Sequence, residues 1–154
     1  MKKNLIALVG LSLASPLVMA TEWFALDIGE EKMLQMNVSD IKKIDSTYTN
    51  VWIAEVNIDK SLLYDLLLNL YRIDCHEDRL RTIQTNFYLG GKFIHKENGI
   101  DEWSYPIPNS IGGEIINIGC KRYMPEKEIV NFSSLEELRN FDQEFMTILQ
   151  SPTK

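Results

Sequence analysis

The side chains able to do chemistry in this 154-residue sequence are few and scattered. Two cysteines, Cys75 and Cys120, and two histidines, His76 and His95, are its only thiols and imidazoles. Redox cysteines usually sit in a Cys-x-x-Cys element, and these two are far apart. Zinc would need both histidines to join both thiols, at a spacing that matches no common ligand pattern. His76 stands beside Glu77 and Asp78, a composition that suits a polar hairpin turn better than an acid–base centre. His95 lies between Ile94 and Lys96 near a strand edge, where imidazole could bind iron but where a plain surface role is the commoner one. Glu30-Glu31 and Asp101-Glu102 are adjacent carboxylates. Neighbours on an extended chain point to opposite faces, so neither pair makes a hydrolytic dyad. Ser110 lacks a Gly-x-Ser-x-Gly context and serves better as a helix cap. Trp23, Trp52 and Trp103 could form an exposed patch for protein binding, although Trp52 suits the core. No catalytic residue, metal ligand or cofactor is expected.

The reading of the cysteines depends on compartment, and the first twenty residues supply it. Met1–Asn4 is basic, and Leu5–Met19 is apolar apart from Ser12 and Ser15, with breakers at Gly10 and Pro16. Val18-Met19-Ala20 ends the run in the manner of a signal-peptidase site. This predicts a secretory signal peptide, 1–20, cut between Ala20 and Thr21. A membrane span needs about 20 apolar residues, more than this run supplies. Thr21, not a cysteine, follows the expected cut, so no lipid anchor is expected, and no later segment is apolar enough to span a membrane. In an oxidising compartment two cysteines read as one disulfide, Cys75–Cys120. Closing that loop should contribute on the order of 4 kcal/mol.

Composition is that of one globular domain, with 45% hydrophobic and 25% charged residues. Removal of Lys2 and Lys3 with the leader takes the formal charge from -6 to -8. An acidic chain is a poor partner for nucleic acid or for anionic lipid.

The mature chain divides into short elements. Trp23–Ile28 and Lys32–Val38 read as strands with a turn at Gly29-Glu30, and Ser39–Ile44 as a turn or short helical link. Thr47–Ile58 is the clearest strand, its β-branched and aromatic content fitting a central position. Asp59-Lys60-Ser61 is a turn. Leu62–Ile73 carries both a helical stripe and a strand alternation, and propensity favours helix. Arg79–Tyr88 is a strand, Gly90-Gly91 breaks it, Phe93–His95 begins another, and Asn98-Gly99 turns again. Trp103–Ile107 is extended. Asn109-Ser110 starts a helix towards Cys120 that tolerates Gly112 and Gly113 at about 1 kcal/mol each. Ser133-Ser134-Leu135-Glu136-Glu137 offers a capping box for a tail helix. Its stripe of Leu135, Leu138, Phe141, Phe145 and Ile148 is expected to cover the sheet rather than a partner.

The order Val56-Asn57-Ile58-Asp59-Lys60, Leu70-Tyr71-Arg72-Ile73-Asp74-Cys75, Leu80–Tyr88, Trp103, Pro108-Asn109-Ser110-Ile111 and Cys120 resembles the surface-adhesin protein E family of Gram-negative bacteria. The resemblance runs from about Trp23 to Met124, and the two cysteines stand where that family has its pair. It implies an α+β fold: an antiparallel sheet of about six strands with a helix packed on one face, here followed by a C-terminal amphipathic helix. It implies that Leu66–Cys75 is a strand, against propensity. In function it implies adhesion to host matrix or serum proteins, in a family where dimers and haem binding are known. Three differences stand out. The founding adhesin is a lipoprotein; its stretch before the Tyr-x-Ile-x-Cys strand is basic, whereas Ser61–Asn69 has no Lys or Arg; and the tail helix is an addition. The resulting expectation is a signal peptide over 1–20, an adhesin-like domain over 21–124 and an extension over 125–154. The protein is then an exported, non-catalytic binder of a protein partner, placed in the periplasm or at the cell surface. An envelope-associated structural or interaction protein is the alternative.

Overall fold

The computed structural model describes residues 20–29, 31–57, 62–125 and 129–150. The expected leader up to Met19, Glu30 of the first carboxylate pair, and the turn at Asp59-Lys60-Ser61 lie outside the described residues.

Alternation and β-branched content build one antiparallel sheet. Its strands are β1 (Thr21–Ile28), β2 (Lys32–Asn37), β3 (Lys42–Lys43), β4 (Tyr48–Asn57), β5 (Leu66–Asp74), β6 (Arg79–Leu89), β7 (Lys92–Asn98) and β8 (Ile129–Phe132). The spatial order is β7-β6-β5-β4-β2-β1-β8, with β3 paired to β4. The expected central strand is β4, paired with β2, β3 and β5. Among the described residues there are eight strands against the expected six or so. The additions are short: Lys42–Lys43 within the expected Ser39–Ile44 link, and Ile129–Phe132, which joins β1. Ahead of β3, the Asn37 carboxamide oxygen accepts from the Ser39 and Asp40 amides and folds the turn.

Propensity for helix across Leu62–Ile73 is overruled. Leu66–Asp74 is β5, paired along its whole length with β4 on one side and β6 on the other. Two ladders, one of them interrupted by a register shift between Leu70 and Tyr71, supply the backbone hydrogen bonds that a helix would have made internally, and they do so while burying Leu66, Leu68 and Ile73.

Two helices follow, α1 (Ile111–Gly119) and α2 (Leu135–Gln150). They lie on opposite faces of the sheet, so the expected helix on one face is joined by the tail helix on the other. One core joins Trp23, Met33, Ala54, Val56, Leu66, Leu68 and Phe132 to Leu138 and Met146 of α2. The other joins Met36, Val51, Ile53, Ile73 and Leu80 to Ile115, Ile116 and Ile118 of α1. The reason lies in the strands. Val51 and Ile53 alternate with Ala54 and Val56 along β4, all of them buried, so both faces carry apolar area that must be covered.

Local chemistry sets the helix ends. The Ser110 hydroxyl caps α1, accepting from the Gly113 amide at 3.2 Å and donating to the Ile107 carbonyl at 2.6 Å. The Ser134 hydroxyl accepts from the Glu137 amide at 3.1 Å, while the Glu137 carboxylate accepts from the Ser133 amide at 2.7 Å, so the expected capping box forms with its return bond displaced one residue from the N-cap. The glycines of α1 are positions of close approach. A side chain at Gly112 would meet the Pro106 ring at 2.8 Å, and one at Gly119 would meet Ile73 Cδ1 at 2.3 Å.

The tail stripe turns by a fraction of a turn from the expected one. Leu138, Asp142 and Met146 are the fully covered positions, while Phe141 and Ile148 are exposed. β8 and α2, both within the expected 125–154 extension, belong to the same sheet and core as the rest.

Candidate binding surface

Leu80 of β6 joins the α1 core and Tyr88 packs against the α2 core, but β7 and the loop after it lie outside both. Gly90 and Gly91 form the two-residue turn of the β6–β7 hairpin with φ of 58° and 76°, the left-handed backbone that a tight hairpin turn demands and that glycine tolerates. Every residue of β7 is exposed. A bulge at Ile94 shifts the pairing from Phe87–His95 to Tyr88–Phe93, and Lys92 and Lys96 add charge to this free edge, features that discourage indiscriminate strand pairing. Phe93 and Ile94 are nonetheless 57% and 45% exposed. Leu89 beside them and Ile100, Tyr105 and Ile107 in the following loop are also exposed.

Aromatic contacts stiffen the hairpin on both faces. On one, the His95 ring stacks on Phe87 with centroids 4.2 Å apart, and Tyr64 meets Phe87 edge-on at 5.4 Å. On the other, Tyr88 meets Phe93 edge-on at 5.8 Å. His95 Nε2 also lies 3.2 Å from the Glu97 carboxylate. An imidazole held between a ring and a carboxylate is positioned as part of the surface.

The loop is pinned to β6. Gly99 donates its amide to the Ile83 carbonyl at 2.8 Å and lies so close to the Thr82 carbonyl that no β-carbon fits there. Leu80 and Ser104 exchange both backbone hydrogen bonds, at 3.0 and 2.8 Å. Trp103 then stacks against Tyr48 at 6.0 Å and takes the guanidinium groups of Arg79 and Arg81 at 4.6 and 4.7 Å from its ring centroid. Arg81 pairs with Asp101.

Below this cluster Asp74 organises the β5–β6 turn. Its Oδ1 accepts from the His76 and Glu77 amides, and its Oδ2 from Arg79 Nε at 3.0 Å and Nη2 at 2.9 Å. Burial pushes its carboxyl up, but the Glu77 amide, the Arg79 guanidinium and the His76 amide outweigh that and hold it below the ordinary aspartate value. Cys75 and Cys120 form the disulfide, with Cα atoms 5.7 Å apart, tying this turn to the end of α1. A cleft of about 370 Å³ opens beside the bridge, lined by Lys43, Thr47, Thr49 and Lys121 among others.

The residues with chemical potential do not converge. His76 is exposed in its turn, 3.8 Å from Glu77. Asp101 pairs with Arg81, and Ser110 is a cap. The three tryptophans form no common patch: Trp23 is core, Trp52 packs half-buried against the α2 core, and Trp103 is held by its arginines. At the expected cleavage point, Ala20 is exposed and Thr21 opens β1, its hydroxyl bonded to Trp23 Nε1 and to the Phe132 carbonyl. Among the described residues no three His, Cys, Asp or Glu side chains cluster as metal ligands. No helix among them is long and apolar enough to cross a membrane.

Two features escaped the sequence reading. The Arg79–Trp103–Arg81 stack depends on a loop folding back onto β6 and has no local signal. The burial of Asp142 has one: it falls at the i+4 position from Leu138 and i−4 from Met146, on the covered stripe. Compared with known proteins, the chain matches no family model, no curated sequence and no solved structure.

Proposed function

We propose that this protein is an exported, non-catalytic binding module, similar in role to surface adhesin E, that recognises a host matrix or serum protein through the β6–β7 hairpin and the loop that follows. The observation that carries the reading is the exposure of Leu89, Phe93 and Ile94 on a hairpin stiffened by aromatic contacts, with Ile100, Tyr105 and Ile107 exposed in a loop tied to its base. Rigid apolar groups with a charged rim are what a protein interface needs, because little conformational freedom is lost on docking. The resemblance and the leader-like first twenty residues supply the compartment.

The test is binding of the purified mature protein to immobilised matrix and serum proteins. Saturable binding that a Phe93→Ser/Ile94→Ser variant loses supports the reading; no saturable binding to any of them overturns it. Fractionation of native cells separates the alternative. Protease sensitivity on intact cells supports the adhesin role, and release with the periplasm supports an envelope-associated role, for which Thr21 in place of a lipid-attachment cysteine is the favouring feature.

A further inference from the structure

Among the described residues, Asp142 is the carboxyl group buried in the α2 core. It sits in the middle of α2 with no exposed surface. Gln35 Nε2, from β2, donates to its Oδ1, and its Oδ2 has no hydrogen-bond partner. A carboxylate in that position carries a full charge into an apolar contact with a single neutral donor, an arrangement proteins usually avoid.

Among the described residues no cation offsets it. The strand side chains packed around α2 are neutral: Gln35 of β2 is the donor, Tyr88 of β6 is the one ionisable group, a phenol that carries no positive charge, and the rest are apolar. Lys32 and Glu55, on β2 and β4, alternate with Met33, Ala54 and Val56 and pair with each other at 3.5 Å on the other face. By the same alternation Glu22 points away from Trp23, and Asp27 lies opposite Leu34, also on the far face. Within α2, Arg139 is committed to Asp65 at 2.8 Å and to Asn140 at 2.7 Å, while Glu136, Glu137 and Glu144 are exposed. The neutral acid needs none of this compensation. Burial accordingly pushes the Asp142 carboxyl up to about 7, against a smaller opposing effect of Gln35.

We propose that α2 is a pH-released strap: it lies firmly on the sheet while Asp142 is protonated, and ionisation of that carboxyl loosens it and uncovers the apolar face beneath. The opened surface would present Leu138, Phe145 and Met146 of the helix together with Met33, Val56 and Leu66 of the sheet, an apolar area of the kind that engages partners. This device does not rest on the proposed binding role, although α2 borders the hairpin turn, where Asp65 Oδ2 accepts from both Arg139 and the Gly90 amide.

The test is amide hydrogen exchange of the intact protein from pH 5 to 8.5, corrected for intrinsic rates. The opening constant of α2 amides should rise about tenfold per pH unit up to about pH 7 and level off above it, because the open state ionises at an ordinary carboxylate pKa while the closed state does not. Amides of β4 and β5 should not share that slope. Asp142→Asn should flatten the α2 profile, and Glu144→Gln, an exposed acid on the same helix, should leave it unchanged. Equal slopes in wild type and Asp142→Asn, or in α2 and β4, overturn the proposal. If Asp142→Asn does not fold, carbon-13 titration of the wild-type Asp142 carboxyl decides: a midpoint near 7 supports the strap, and one below about 5 overturns it.

Discussion

A single carboxylate, Asp74, holds the β5–β6 turn by accepting from two backbone amides and from Arg79. Asn in its place keeps the shape but loses the charge-assisted bonds. Asp74→Asn should therefore lower the unfolding free energy by about 1–3 kcal/mol, read from denaturant melts at neutral pH. The pH dependence has a definite sign. Its folded pKa lies below the ordinary value, so its contribution is present above the unfolded carboxylate pKa and is lost as pH falls through the folded one. Acid unfolding of Asp74→Asn should consequently be shallower than that of the wild type. Glycine at position 99 acts through space rather than charge. A β-carbon there would lie 1.7 Å from the Thr82 carbonyl oxygen, which is backbone and cannot rotate aside. Gly99→Ala should cost about 1–3 kcal/mol and loosen the loop that carries Trp103, seen as a lower thermal midpoint with altered Trp fluorescence.

At the scale of elements, the sheet is continuous but its helices are anchored differently. α1 is only nine residues long, too short to persist alone, and depends on Ile115, Ile116 and Ile118 and on the bridge to Cys75. Reduction should therefore destabilise the protein by about 2–5 kcal/mol, with α1 amides losing protection before those of β4. A Cys75→Ala/Cys120→Ala variant should show the same loss without reductant. α2 has no covalent tie and holds by Leu138, Phe145 and Met146 and by the Arg139–Asp65 pair. Leu138→Ala, at a position with no exposed surface, should cost about 2–5 kcal/mol by leaving a cavity.

Across the molecule, the buried carboxylates Asp74 and Asp142 act in opposite directions. Asp74 favours the fold as pH rises past the unfolded carboxylate value, whereas Asp142, whose folded value is raised to about 7, withdraws support between that value and neutrality. Their joint effect places greatest stability in mildly acid solution, and a pH series of denaturant melts should show it falling toward pH 7; a flat series would contradict the Asp142 assignment. The hairpin is the converse case. Phe93 and Ile94 lie outside both cores, so Phe93→Ser/Ile94→Ser should cost no more than about 0.5–1.5 kcal/mol, through the lost Tyr88 contact, while removing partner binding.

Short-range chemistry along the chain fixes a first set of features. The turns at Gly90-Gly91 and Asn98-Gly99, the caps at Ser110 and Ser134, the strand character of Tyr48–Asn57 and the apolar periodicity of the two helices all rest on neighbours within a few residues. Pairing of Cys75 with Cys120 followed from there being no third thiol. Tertiary structure decided the rest, because partners far along the chain supply the deciding energy. Leu66–Asp74 is a strand because β4 and β6 flank it, and Lys42–Lys43 and Ile129–Phe132 are strands only by virtue of β4 and β1. The placing of one helix on each face, and with it the burial of Asp142 against Gln35, depends on which way each connection crosses the sheet, and no local pattern encodes that direction.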